Sequence, residues 1–471
     1  MREIKRRRFN GVRVVSLFSG CGGSSLGYRM AGCKVVWANE FIPAARDSYR
    51  ANFPQTTIDP RDIREITGAE IMQATGLEVG ELDILDGSPP CASFSTAGKR
   101  SRDWGKVKAY SETKQRTDDL FLEYVRLVRE LRPKRFIAEN VAGLVKGVGK
   151  GWFLDIYGAL QEAGYRVGAQ LLDAQWLGVP QARQRLFFVG VRNDLDAAPA
   201  FPKPLPYRYS VRDALPWITA TGGIRSTGFG GDQLQPSSLP AQTIMAGGGH
   251  GMNTSQFGVV ATIEHANGWN GHAPQSIEKP ALTIQADRPV AVMTKRGPRS
   301  AEKPAPTVMT HNRRYTHGEL SLTVEPEADM TGYAVGDELR KLAPGAQSDR
   351  YFQLVRAPLN GPSPTITVEG KKAHAASVAH PIERRKFSIA ELRRICGFPD
   401  DFVLTGTYQQ QWERLGRAVP PPMMAALVAA NIAIDARPAR TGRSRAKPVP
   451  ATTIAAALVP PASAPPEPAA A

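Results

Sequence analysis

Val12-Arg13-Val14-Val15-Ser16-Leu17-Phe18-Ser19-Gly20-Cys21-Gly22-Gly23-Ser24 is the stretch that decides the fold. A short β-branched run stops at a glycine-rich turn, and helical sequence begins at Ser24. Strand, glycine turn and helix in that order let the backbone approach a ligand and aim free N–H groups at it. Working outward, Lys34–Ala38 reads as a strand, Ile42–Asn52 as a helix and Leu82–Leu85 as a strand. Leu120–Leu131 has helical periodicity and stops before Pro133. Phe136–Ala138, Arg166–Leu172 and Arg185–Val191 complete the strand set. Such alternation predicts an α/β fold, a mostly parallel sheet with helices on both faces.

The chain has 471 residues and a net charge of +16, with hydrophobic residues at 42%. That length implies two or three domains, and that apolar content excludes global disorder. There is no apolar run of membrane-spanning length, and Met1–Arg8 is charged, unlike a signal peptide. The reading is a soluble intracellular protein without a membrane partner. The four cysteines, Cys21, Cys33, Cys91 and Cys396, show neither C-x-x-C nor zinc spacing. No metal site is therefore expected, and each thiol is either a buried filler or a nucleophile. The basic balance suggests a polyanionic partner. Residues 1–13 hold six basic groups and one acid, and residues 437–471 five and one.

Glu40 ends the second strand, about 20 residues after the glycine turn, where a carboxylate can accept from ribose hydroxyls. Alone, this fits NAD, FAD or S-adenosylmethionine equally. Asp86-Gly87-Ser88-Pro89-Pro90-Cys91 follows the strand at 82–85. Two prolines stiffen the backbone ahead of the sulfur, and strand ends carry the chemistry in such sheets. Lys99, Arg100 and Arg102 follow in a loop, residues 97–116, with seven basic groups and two acids. Cations there favour a thiolate.

These motifs together resemble the DNA cytosine-C5 methyltransferase family. Leu17–Gly23 is similar to its first cofactor motif, and Pro90-Cys91 to its nucleophile motif. Glu139-Asn140-Val141 matches ENV, and Gln181-Ala182-Arg183-Gln184-Arg185 matches Q-x-R-x-R. Arg385-x-x-Ser388-x-x-Glu391-x-x-Arg394 with Gly397-Phe398-Pro399 resembles the ninth motif, and Gly416–Pro421 the tenth. The resemblance covers about residues 12–192 and 384–433. It implies a Rossmann-like S-adenosylmethionine-dependent methyltransferase sheet with a smaller β-rich target-recognition domain. It divides the chain into a catalytic and cofactor-binding domain at 12–192, target recognition at 193–380 and C-terminal motifs completing the catalytic domain at 381–436; the stretch at 437–471, Ala/Pro-rich and without hydrophobic periodicity, reads by composition as a disordered basic tail. The resemblance further implies that Cys91 adds to C6 of a flipped cytosine, that Glu139 bonds N3 and the amine, that Arg185 holds O2 and that Arg183 supports that pocket. The cofactor is then S-adenosyl-L-methionine, bound by Phe18, Gly20, Gly22, Gly23, Glu40, Asp62, Ile63, Pro90, Arg417 and Ala418. DNA contacts fall to Ser95, Lys99, Arg100 and Arg102. Double-stranded DNA and a cognate restriction endonuclease are the implied partners of a monomeric, cytoplasmic enzyme of a prokaryote or phage.

Several residues depart from the family. Ser16 stands where an acid is common, and Ala92 where Gln is usual. The Arg-containing fifth motif is not cleanly matched around Arg116–Leu120. Arg417 replaces an Asn beside the cofactor's methionine end. A permanent cation repels a sulfonium. Either the transferred group carries a carboxylate, making the cofactor carboxy-S-adenosyl-L-methionine and the product 5-carboxymethylcytosine, or Arg417 turns to a phosphate or an internal acid. Further alternatives are a catalytically silent DNA-binding relative and an RNA methyltransferase. An NAD dehydrogenase would need G-x-G-x-x-G.

The middle region carries Pro-x-x-Thr-(Ile/Val) at Pro240–Ile244, Pro280–Ile284, Pro304–Val308 and Pro362–Ile366. Each copy reads as a turn entering a strand. Gly247–Gly251 and Asn312–Tyr315 are candidate base contacts. Ser388 with Glu391 has capping-box spacing for a helix.

Overall fold

The computed structural model describes residues 1–90, 119–145, 149–218 and 325–432, and six short strand segments outside these ranges. Cys91, the loop residues Ser95, Lys99, Arg100 and Arg102, both candidate base-contact runs, three of the four Pro-x-x-Thr copies and the tail at 437–471 lie outside the described residues. The chain forms two compact units. One comprises Met1–Tyr209, Pro362–Lys371 and Leu392–Ala471, and the other Ser210–Gly361 and Lys372–Glu391.

The first unit is built on a seven-stranded sheet: β1 (Arg13–Leu17), β2 (Lys34–Asn39), β3 (Thr57–Asp59), β4 (Ile84–Gly87), β5 (Arg135–Val141), β6 (Tyr165–Asp173) and β7 (Gln184–Arg192). The order across the sheet is β3-β2-β1-β4-β5-β7-β6. β7 runs antiparallel to both neighbours, and the remaining pairs are parallel. The chain moves outward from β1 to β3, then resumes on the other side of β1 at β4. That reversal opens a crevice beyond the strand ends, where α/β sheets bind ligands. β3 escapes sequence reading because three residues carry no alternation. Its pairing with β2, Trp37 opposite Thr57, creates it.

Helices of this unit include α1 (Gly23–Met30), α2 (Pro43–Asn52), α3 (Gly68–Thr75), α4 (Leu120–Leu131), α5 (Gly149–Glu162), α6 (Tyr408–Arg417) and α7 (Pro421–Ile432). α4 has the bounds its periodicity predicts and buries Leu120, Phe121, Tyr124, Val125, Leu127, Val128 and Leu131. Gly87 lets the Tyr124 ring pass the end of β4, since a Cβ there would lie 2.5 Å from its Cε2. α7 is apolar nearly all round and seals the opposite face of the sheet with Met423, Met424, Leu427 and Val428 beside Val14 and Val35. It packs on α1 through Gly27, whose added Cβ would meet Met424 Cβ at 2.6 Å.

The second unit has its own small core of Met330, Val335, Leu339, Leu354 and Ala379. Arg385 bonds Glu391 through both terminal nitrogens, at 2.7 and 2.9 Å, and pairs with Glu383. Ser388 and Glu391 form the expected box: Ser388 N–H donates to Glu391 Oε2 at 2.8 Å, and Glu391 N–H to Ser388 Oγ at 3.2 Å. Among the described residues no helix is long and apolar enough to cross a membrane.

Candidate active site

A cavity of about 860 Å³ opens beyond the ends of β1, β2, β4 and β5, within the first unit. That volume lies in the range of small-molecule and cofactor sites. The turn after β1 forms one wall. Phe18 there has φ 54 and Gly20 φ 58, both left-handed, a strained choice for Phe18 of the kind found at ligand sites. Nothing lies within 4 Å of a Cβ built on Gly20, leaving its backbone open to a ligand, whereas one on Gly23 would strike Val419 O at 2.4 Å. Gly20 thus fits close ligand approach, and Gly23 fits the packing of α1 against the tenth motif. Gly22, at φ 97, serves the turn and packs against Phe53.

Glu40 reaches back across this turn. Its carboxylate accepts from Gly20 N–H and Ile42 N–H, each at 2.7 Å. Burial pushes its pKa up. It braces the turn and lines the cavity while a carboxylate keeps further lone pairs to offer. Asp62 caps the short turn Ile63–Glu65 and pairs with Arg64 at 2.9 Å; Asp62 and Ile63 both line the cavity. An opposed glycine turn and two carboxylates suit a nucleoside with a polar tail, so the residues present fit a nucleoside cofactor.

The other wall is chemical. Glu139, near the end of β5, receives Arg185 Nε at Oε1, 2.8 Å away. β5 and β7 are antiparallel neighbours, with Glu139 opposite Phe187 and Val141 opposite Arg185, so register alone brings the two motifs together. Burial, foremost, pushes the Glu139 carboxyl up despite Arg185, Arg183 and Ser88, and pushes the Arg185 guanidinium down. Each ion is penalised more than its partner repays, so the pair gains from polar groups brought by a substrate. Asn140 donates to Pro89 O at 3.3 Å, holding the backbone that leads through Pro90 to Cys91. The described thiols, Cys21, Cys33 and Cys396, are buried, and burial pushes them up to about 12, 11 and 11, so none is a thiolate at neutral pH.

Arg183 does not face the cavity. It is 1% exposed and donates to Ile366 O at 3.1 Å and Gly416 O at 2.8 Å. It is a strut joining β7 to the segment Pro362–Lys371 and the end of α6. That segment is the part of the site the sequence does not reveal: Thr365 to Glu369 line the cavity. The described Pro-x-x-Thr copy enters no strand. Ser363 instead makes an isolated parallel bridge to Gln181, with its N–H on Pro180 O at 2.9 Å and its carbonyl accepting from Ala182 N–H at 2.8 Å, and just beyond the copy Trp412 Nε1 donates to Thr367 O at 2.9 Å.

Arg417 and Ala418 line the cavity at the end of α6. Arg417 Nε bonds Glu413 Oε1 at 3.0 Å, so an internal acid takes part of its charge. The same carboxylate holds Lys371 at 2.8 Å and Arg414 at 3.2 Å.

Residues 12–433 match the sequence profile of the C-5 cytosine-specific DNA methylase family. The chain belongs to this family. Among its family relatives, the Type II methyltransferase M.NgoPII of Neisseria gonorrhoeae is 33% identical over 203 residues, 43% of this chain and 54% of that protein. The chain thus matches about half the length of that relative. Two others align almost throughout. M1.HphI of Haemophilus parahaemolyticus is 25% identical over 90% of this chain and 87% of that protein. M.SacI of Streptomyces achromogenes is 28% identical over 86% and 89%. A prophage-encoded E. coli protein, described as a DNA modification methyltransferase, shares the fold with a TM-score of 0.54 at 21% identity, over 91% of this chain and 100% of that one.

Proposed function

We propose that the protein transfers a methyl group to C5 of cytosine in double-stranded DNA. One observation carries the reading: a single cavity has the glycine turn with Glu40 and Asp62 on one side, and the Glu139–Arg185 pair with Pro89-Pro90 on the other. Phe18, Gly20, Glu40, Asp62, Ile63, Pro90 and Ala418 would hold S-adenosyl-L-methionine there. That cofactor, when bound, supplies an electrophilic methyl group.

The chain's own residues do the rest. Cytosine C5 is a weak nucleophile. Cys91, two residues beyond Pro89, adds its sulfur to C6 and makes C5 enamine-like. Glu139, with its pKa raised, can donate to N3 while accepting from the exocyclic amine. Arg185 holds O2 and takes up charge as the adduct forms. Once C5 carries the methyl group, the C5 proton passes to a base, the Cys91 thiolate leaves C6, and N3 returns its proton to Glu139, which restores the ring. A base in a duplex cannot enter such a cavity, so the target nucleotide flips out. Lys99, Arg100, Arg102 and Ser95 contact phosphates, and the middle region reads sequence. The Type II names of the relatives support a cognate restriction endonuclease as partner.

A second reading is carboxymethyl transfer. In it Arg417, which lines the cavity at the end of α6, would pair with the carboxylate carried by the transferred group. The experiment is to incubate the protein and DNA with S-adenosyl-L-methionine or its carboxy derivative and identify the nucleoside by mass spectrometry. 5-Methylcytosine that disappears in Cys91→Ser supports methyl transfer. A 5-carboxymethylcytosine product lost in Arg417→Asn supports the second reading. DNA binding with no product from either cofactor overturns both.

A further inference from the structure

Asp86 lies on β4 at the point where the sheet reverses, three residues before Pro89, and is 2% exposed. Its register partner on β1 is Ser16, two residues before Phe18. Besides the bond within this pair, two hydroxyl groups from separate places converge on it. Ser16 Oγ donates to Asp86 Oδ2 at 2.7 Å, and Tyr28 on α1 donates to Oδ1 at 3.2 Å. Ser19, inside the glycine turn, donates to Ser16 O at 2.9 Å and lies 3.2 Å from Ser16 Oγ. Ser16 and Tyr28 are fully buried.

Both oxygens of an ionised Asp86 accept these bonds. A protonated carboxyl must donate from one oxygen to a hydroxyl that already donates to it. That hydroxyl's hydrogen must then turn to another acceptor, for Ser16 the Ser19 Oγ 3.2 Å away inside the glycine turn, so protonation rearranges the bonds that hold the turn. The groups facing Asp86 are Ser16 on β1, the phenols of Tyr28 on α1, Tyr49 on α2 and Tyr124 on α4, and the Glu139 carboxyl on β5. Burial raises Asp86 most, Ser16 and Tyr28 oppose it, and Glu139 adds to it, leaving Asp86 at about 7.

We propose that Asp86 is a positioning residue: its carboxylate fixes the turn Phe18–Gly20 through Ser16 and Tyr28, and its protonation loosens cofactor binding. The inference rests on the reading of that turn as a cofactor site. It also accounts for Ser16, since the carboxylate stands on the neighbouring strand, directly opposite.

The test is calorimetric titration of the full chain with S-adenosyl-L-methionine between pH 5.5 and 8.5, with thermal melts to follow folding. Wild-type affinity is expected to fall about tenfold from the alkaline to the acid end, the effect of one charge-assisted hydrogen bond. Asp86→Asn, which can accept on one side only, is expected to bind weakly at every pH with a flat profile. Tyr28→Phe and Ser16→Ala each remove a donor to the carboxylate and should move the midpoint to higher pH. These two also decide the matter if Asp86→Asn does not fold. A wild-type pH profile that survives in Asp86→Asn, or midpoints unmoved in both hydroxyl variants, overturns the inference alone. No binding by the wild type at any pH overturns the cofactor-site reading and the inference with it.

Discussion

Replacing Glu391 by Gln removes a buried charge while keeping its shape. Arg385 and Glu391 are 10% and 7% exposed at the side chain. Burial pushes the Glu391 carboxyl up, but Arg385, His380 and the Ser388 N–H pull harder and leave it at about 2. The gap between an ordinary carboxyl at 4.5 and about 2 corresponds to about 3 kcal/mol favouring the ionised, folded form. Breaking a buried ion pair from one side costs about 3–5 kcal/mol, so two independent routes agree. Gln still suits the third position of a capping box, so the helix start is preserved and the charge is isolated. The lowered pKa sets the sign: the stabilisation is complete above about 4.5 and is lost as pH falls through about 2. Because a chain of two units need not unfold in one step, the assay is native-state hydrogen exchange of peptides spanning residues 380–396. Glu391→Gln should speed their exchange on the order of a hundredfold at pH 7, where 1.4 kcal/mol is a factor of ten. At about pH 3 the gap between variant and wild type should shrink below half in free energy. A change of less than about threefold at pH 7, or a gap that does not shrink in acid, would refute the reasoning.

Glu139→Gln should behave differently. Burial outweighs Arg185 there, so the loss of stability should be smaller than that of Glu391→Gln while the modified nucleoside vanishes from mass spectra; an equal or greater loss would contradict this. Gly27→Ala drives a Cβ into Met424 Cβ at 2.6 Å and Pro421 O at 2.8 Å and should cost about 1–3 kcal/mol in a denaturant titration, whereas an unchanged midpoint would disprove the tight α1–α7 approach. Lys386 is fully buried, with its ammonium on Ala375 O and Ser377 Oγ, and burial pushes it down to about 7. Wild-type stability should therefore rise from about pH 7 toward 10.5, and Lys386→Met should flatten that rise in melts across the range.

The local devices of the fold were legible because they are encoded by near neighbours. α4 runs from Leu120 to Leu131 as its apolar spacing requires, and the Ser388–Glu391 box forms as its spacing predicts. The Arg417–Glu413 bond also had a signal, since residues four apart on a helix face each other. What the sequence determined by itself is the strand–helix alternation of an α/β fold, without β3, α3 or α5, together with the glycine turn after β1, the family and the residue types that carry its chemistry. Only the tertiary structure decided which of them meet. It tied Arg183 to Ile366 O and Gly416 O as a buried strut, brought Thr365 to Glu369 to the cavity, and set Asp86 opposite Ser16. The physical reason is that periodicity and turn chemistry act over a few residues. Strand register, and the partner a buried polar group finds, are settled by the packing of the whole sheet.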